Sequence, residues 1–345
     1  MFLKNIKIFK IAFVFIIFFA YFFTYPVFAG EPLSLVSSKV DSAPKLDGDG
    51  SDPQWKTAKE MQAFTDNGPK VFVKSVHTDK EIFFLFQFED LTESIRPDQW
   101  VFDGEKWSIL QEVRWKGEEP WEADNDMLGM HWPIGDSIEG FSEKGCKQIC
   151  HAPEKEDKMY TNNPNEKTDI WLWKAGITNP LGYADSYYLD NSVVSKKEEK
   201  DRLKRISLAH KGDDLGSGSL NYVHNEINNL PNWMPKNAAN NSPFLFKGNE
   251  TPFDPSKFKK GDVIPGWVLA RPKGSRGFIN AKGKYNENDI KWVIELSRKL
   301  VTDDKEHDVQ FDNLKKVYYF GLATWDNEKL LRHTRVKEPI ILSFK

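Results

Sequence analysis

Cysteine is almost absent from this chain: its 345 residues hold two, so at most one disulfide can form. A strong charge of either sign is missing too. Lys and Arg number 48 against 51 Asp and Glu, a formal net charge of −3, which gives no reason to expect a nucleic-acid partner. There is no glycine-rich phosphate loop, no histidine–glutamate pair at metalloprotease spacing and no serine elbow. The sequence therefore carries no positive sign of a hydrolase. No internal repeat is visible.

Long apolar runs are also scarce, and the one that exists stands at the start. Lys4, Lys7 and Lys10 precede an unbroken apolar run from Ile11 to Phe23; Pro26 breaks it, and Val27-Phe28-Ala29 offers small-residue cleavage before Gly30. This is the pattern of a secretory signal peptide over residues 1–29, short for a membrane span. Export to the periplasm or an equivalent compartment is expected, with no membrane span after cleavage; an uncleaved anchor is the other reading. Loss of the three lysines takes the net charge from −3 to −6. About 315 residues remain, enough for one large domain or two small ones.

The two cysteines stand together in Gly145-Cys146-Lys147-Gln148-Ile149-Cys150-His151. A Cys-x-x-Cys-His run attaches c-type haem: the cysteines form thioethers with the porphyrin and the histidine takes an axial position. Here three residues separate the cysteines, and on a helical turn positions i and i+4 still project from one face. The other reading is a disulfide, which export equally permits. A zinc site would have to recruit distant ligands.

The remaining chain reads as all-β. Val71–Val76 and Ile82–Phe88 are aromatic and β-branched, with Asp79-Lys80 between them as a turn, a hairpin signal. Met127–Trp132, Trp292–Leu296, Val317–Ala323 and Ile340–Phe344 read as further strands. Twelve Trp and 25 Phe supply an aromatic core or the walls of an apolar pocket. The stretch from about 135 to 265 is rich in Asn, Pro, Gly, Lys and Asp and poor in periodic apolar runs. It reads as a long, partly helical insertion, with a charged helix expected over 196–205, inside one β-sandwich domain spanning 30–345.

Several stretches together resemble the haem-binding domain of ethylbenzene-dehydrogenase γ subunits. They are Ala43-Pro-Lys-Leu-Asp-Gly48 followed by Trp55, Met127-Leu-Gly-Met-His-Trp132 and the cysteine motif. Asp169-Ile-Trp-Leu-Trp-Lys-Ala175, Gly182-Tyr-Ala-Asp185, Trp292 with Arg298-Lys-Leu300, and Asp308-Val-Gln-Phe311 complete the set. The resemblance spans roughly 36–344 and is closest to c-haem variants. It implies a β-sandwich that clasps haem and serves as the γ subunit of a molybdopterin oxidoreductase, of which nitrite oxidoreductase is the favoured example. The expected partners are an iron–sulfur β subunit, a molybdopterin α subunit and a soluble electron carrier. This chain would transfer electrons and not itself be an enzyme.

Site residues follow from the same resemblance. Cys146 and Cys150 would carry one covalent haem c, with His151 on the iron. Family members with non-covalent haem b use a methionine and a lysine. Met159, ahead of Ile170-Trp-Leu-Trp173, occupies the matching place for the methionine; Lys273 and Lys282 are the lysine candidates. Such a haem b would stand in addition to haem c or in its place. His131 and His333 are further axial candidates. Trp171 and Trp173 would wall the haem or belong to the ordinary core. Two other functions remain open on sequence: a free-standing periplasmic cytochrome, and a carbohydrate-binding sandwich in which the cysteines form a disulfide.

Overall fold

The computed structural model describes residues 33–110, 124–148, 160–192, 211–212, 222–237, 242–327 and 333–345. The signal segment, Cys150, His151, Met159 and the helix expected over 196–205 lie outside them. The main sheet has eleven principal strands: β1 (Ser34–Lys39), β2 (Met61–Phe64), β3 (Lys70–His77), β4 (Glu81–Glu89), β5 (Met127–Pro133), β6 (Thr168–Lys174), β7 (Tyr183–Leu189), β8 (Ile279–Asn286), β9 (Lys291–Lys299), β10 (Tyr318–Trp325) and β11 (Ile340–Phe344).

Their order is β1-β11-β10-β5-β6-β7-β8-β9-β4-β3-β2, and β1 also pairs with β3. That last pairing, Ser37↔Ser75 to Lys39↔His77, closes the sheet into a ring. Both pairings of β1 are parallel, and the others along the path are antiparallel. Phe84 on β4 meets Trp132 on β5, Trp171 on β6 and Phe320 on β10, at ring-centroid distances of 5.9, 5.9 and 6.4 Å. Opposite walls therefore pack face to face, as in a sandwich. The all-β, sandwich-like expectation holds. The only α-helix among the described residues is the four-residue α1 (Phe141–Lys144).

Strands of this ring are buried on both faces, which explains their continuous apolar runs. In β4, Ile82, Phe84, Phe86 and Phe88 point inward, while Phe83 and Leu85 pack outside with Trp55. In β6, Trp171 and Trp173 point inward, while Ile170 and Leu172 face an outer cluster. The hairpin and the strands expected near 127, 292, 317 and 340 are all present. The stretch 135–265 is not one insertion, because β6 and β7 are ring strands. β6 was hidden because burial on both faces removes the alternation. β7 was hidden because it carries buried polar residues, Asp185 and Ser186. The rest of that stretch supplies short satellite strands such as Tyr222–His224, Trp233–Pro235 and Glu250–Pro252.

Buried carboxylates fasten the ring. Glu295 on β9 accepts from the backbone N–H of Asp47 at 2.9 Å and Gly48 at 2.7 Å, and from Trp55 Nε1 at 2.9 Å. This accounts for the spacing of Asp-Gly and the later Trp. Gly48 is required on two grounds: its φ is +79°, and a Cβ there would lie 2.9 Å from Lys284 Cβ. Asp169 at the start of β6 accepts from Arg298 at 2.7 Å, Trp171 Nε1 at 2.9 Å and the Val309 N–H at 2.9 Å. Arg298 also donates to the Val309 carbonyl. Asp308 lies 3.9 Å from the same guanidinium.

One guanidinium thus faces two buried carboxylates. Burial pushes the Asp169 carboxyl up to about 7 against the pull of Arg298, and the Asp308 charge adds to the rise. A raised acid favours the fold in its protonated form. Its contribution is full below the ordinary value of 3.8 and is lost as pH rises through about 7. Urea unfolding across pH 4–8 is expected to show this component of declining stability. Asp308→Asn leaves Arg298 a single charged partner and should shrink the decline; an unchanged slope would show that the Asp308 charge does not raise Asp169.

Candidate functional site

The first motif cysteine sits against the outside of the ring. After α1 the chain makes a tight turn, Gly145–Gln148. Gly145 has φ +60°, and a Cβ there would meet the backbone of Pro339 at 3.2 Å and Lys337 at 3.3 Å. Glycine at that position lets the turn lie against the 337–339 loop. The next residue, Cys146, is buried, with a free thiol. Its Cβ lies 3.0 Å from where a Cβ on Gly321 of β10 would stand. Gly321 is flanked by Phe320 and Leu322, which point into the core, so it faces outward. The missing side chain is the seat of Cys146. A glycine inside a strand pattern, as in Phe320-Gly-Leu322, is the sequence signal for such a close approach.

The surrounding wall is apolar. Ile138, Phe141, Ile170, Leu172 and Trp325 form an outer cluster against which Tyr319 and Ala323 pack. Burial pushes the Cys146 thiol up to about 11, with Arg335 pulling against the rise. At neutral pH it is a thiol and not the thiolate that nucleophilic chemistry requires.

The same wall ends in a buried polar group that the sequence reading missed. Lys174 Nζ donates to Asp185 at 2.8 Å, Tyr187 OH at 3.1 Å and Tyr222 OH at 2.6 Å. Arg276 Nη2 donates to Tyr187 OH at 3.0 Å, and its Nε lies 3.4 Å from Asp185. Burial opposes the Lys174 charge, but Asp185 and Tyr187 outweigh it and hold the ammonium above its usual value. Lys174 and Arg276 in turn hold Asp185 below its usual value against its burial. The group ties β6 and β7 to the satellite strand at Tyr222 and to the 275–277 turn. Residues with charges so far apart in sequence give no local signal of their pairing.

The other expected site residues are dispersed. Trp171 and Trp173 are fully buried inside the ring, on the opposite face of β6 from the Cys146 wall. Trp171 lies under the Arg298 guanidinium at 4.5 Å, and Trp173 meets Trp292 at 5.0 Å. Lys273 is exposed on the loop leading to β8. Lys282 is half-buried on β8, four strands from Gly321 along the order β10-β5-β6-β7-β8. At the usual strand spacing that is about 19 Å along the sheet.

The described residues offer Cys146, seated in a cradle that any Cβ at 321 would fill, as the position where a thioether-linked haem would attach. They do not fit a haem at Cys146 walled by Trp171 and Trp173. Among the described residues no helix is long and apolar enough to cross a membrane.

A model of the family described as ethylbenzene dehydrogenase matches residues 49–337. Among solved structures, the chain is similar to a candidate carbohydrate-binding protein from Bacteroides uniformis, at 11% identity and a TM-score of 0.35, over 91% of this chain and 100% of that one. It is also similar to a family 9 carbohydrate-binding module from Caldicellulosiruptor kristjanssonii in complex with cellotriose, at 8% identity and a TM-score of 0.31, over 90% and 94% of the two chains. Neither likeness is close enough to carry a function. No curated protein matches.

The cradle is directly testable. Gly321→Ala would press a methyl group against Cys146 and should cost about 1–3 kcal/mol in urea unfolding of the haem-free protein. Alkylation of Cys146 in the native state should become faster. Unchanged stability and unchanged alkylation would show that the seat is not tight.

Proposed function

Since the chain belongs to the ethylbenzene dehydrogenase family, as the match over 49–337 shows, we propose that it is the electron-transferring γ-type subunit of a molybdoenzyme complex. On this reading it is exported and carries one haem c linked through Cys146 and Cys150, with His151 on the iron. Its partners are an iron–sulfur subunit, a molybdopterin subunit and a soluble carrier, in the manner of nitrite oxidoreductase. The observation that carries the proposal is the family match, which includes the Cys146 motif. The seating of that cysteine by Gly145 and Gly321 supports it.

When bound, the haem supplies a one-electron couple whose potential depends on axial ligands, burial and hydrogen bonding around it. The chain's own contribution is positional. Gly145 and Gly321 fix where the first thioether leaves the protein. The apolar side chains of the outer cluster would shield a bound haem from water. Cys146 brings no negative charge, since its sulfur is protonated at neutral pH before attachment. No nucleophile or general base is placed beside it among the groups named above, and substrate chemistry falls to the molybdopterin partner.

The test is haem staining after denaturing, reducing electrophoresis, with a pyridine haemochrome spectrum, on protein exported by a host with haem-attachment machinery. The wild type should give a stained band with a c-type spectrum. Cys146→Ser with Cys150→Ser should lose the stain. Persistence of covalent haem in the double variant would misplace the attachment site, and absence of any haem in the wild type would overturn the cytochrome reading.

A further inference from the structure

Two buried cations share one carboxylate in the Lys174 group. The three hydrogens of the Lys174 ammonium go to Asp185, Tyr187 and Tyr222 and are used up. Tyr187 and Tyr222 also donate to Asp185 Oδ2, at 2.8 and 3.0 Å. Arg276 reaches Asp185 Oδ1 through Nε at 3.4 Å and Tyr187 OH through Nη2 at 3.0 Å. A guanidinium has five N–H donors. The second Nη2 hydrogen and both hydrogens on Nη1 therefore meet no partner among the described residues, although Arg276 is only 7% exposed.

Charge is out of balance at the same point. Arg298, also a buried guanidinium, faces two carboxylates, Asp169 and Asp308. Arg276 instead shares Asp185 with Lys174. Burial and the Asp185 charge hold the Tyr222 phenol well above its usual value, so it brings no negative charge. Asp304 accepts from Ser275 at 3.0 Å and pairs with His307 at 3.1 Å, and it forms no ion pair with either cation. The loop 270–277 carries Arg271 and Lys273 and no acid. An arginine does not shed its proton, and a buried charge without a counterion is costly.

We infer that the outer edge of the Arg276 guanidinium binds one small carboxylate anion. Nη1 and Nη2 present parallel hydrogens at the spacing of two carboxylate oxygens, the fork in which arginine holds such groups. The Tyr187 ring lies 4.7 Å and the Tyr222 ring 5.9 Å from the guanidinium carbon, and these two rings fix the plane of the fork. The ligand supplies the negative charge that the second cation lacks. The narrow opening over Arg276 suits an anion of the size of formate or acetate. Once bound, the anion adds a hold on the Ser275–Gly277 turn and, across Tyr222, on the Tyr222–His224 strand. The inference does not rest on haem attachment at Cys146.

The experiment titrates the purified full chain with carbon-13-labelled formate at fixed ionic strength, reading bound formate by nuclear magnetic resonance. Wild type, Arg276→Gln, Arg276→Lys and Arg271→Gln are compared. The wild type should take up one formate per chain in a saturable manner. Arg276→Gln should lose that uptake. Arg276→Lys keeps the charge without the fork and should bind about tenfold more weakly or worse, since hydrogen bonds to charged groups are the strong class. Arg271→Gln, which removes an exposed arginine from the same loop, should bind as the wild type does. No saturable uptake by the wild type overturns the site, and so does uptake that survives in Arg276→Gln. A loss in Arg271→Gln as large as in Arg276→Gln overturns it too, because a general surface charge would then be responsible. Should the Arg276 variants fail to fold, amide hydrogen exchange of the wild type decides. Formate should slow exchange at 275–277 and 222–224; unchanged exchange there at saturating formate overturns the assignment.

Discussion

Closure of the main sheet through β1 is the constraint on which everything else depends. β1 hydrogen-bonds to β11 on one side and β3 on the other, both in parallel. A closed sheet has an inside and an outside, and the period-2 alternation of side chains then sorts neighbouring residues into two separate environments. Ile170 and Trp171 are adjacent in sequence yet belong to different clusters. Phe320 and Gly321 likewise face opposite sides of β10, Phe320 into the core and Gly321 toward Cys146. Which chemistry a residue can join is decided by its parity along the strand more than by its distance in sequence.

That sorting explains which parts of the fold were legible. The hairpin of β3 and β4 and the strands β5, β9, β10 and β11 declare themselves through short aromatic and β-branched runs. β6 and β7 do not, because a strand buried on both faces loses its alternation. The polar residues of β7 look like loop residues until Lys174 and Arg276 arrive to pair Asp185. The Asp-Gly and Trp of the opening were legible as a motif, but their reason was not. Their shared acceptor, Glu295, lies 240 residues beyond Trp55.

The site was legible to a different degree. Cys146 identifies itself by its rarity and its neighbours. Its seat does not, because a glycine 175 positions away has nothing to mark it except that it interrupts a strand pattern. Trp171 and Trp173 read in the sequence as haem walls or as ordinary core, and both stand in the inner core. Their spacing and their place in the Ile-Trp-Leu-Trp element make them attractive as pocket walls, yet parity turns both inward. Lys282 lies on β8, four strands from Gly321.

The aromatic packing inside the ring also bears on where a covalently linked haem would lie. Trp132 and Phe320 stack at 4.5 Å, Trp132 and Trp171 meet tilted at 5.5 Å, and Trp173 and Trp292 meet edge to face at 5.0 Å. Trp132, Trp171 and Phe320 belong to the inner core, on the other side of the sheet from Cys146. A haem beside Cys146 would instead lie against the outer wall, which buries one of its faces and gives correspondingly less apolar contact to retain it. On the proposed function, thioether bonds to a seated cysteine would supply the retention that such contact does not. A rigid seat matters for the same reason. A covalent tether on a mobile loop would hold the cofactor without fixing its distance to a partner, whereas one locked between Gly145 and Gly321 fixes the attached edge to the sheet itself.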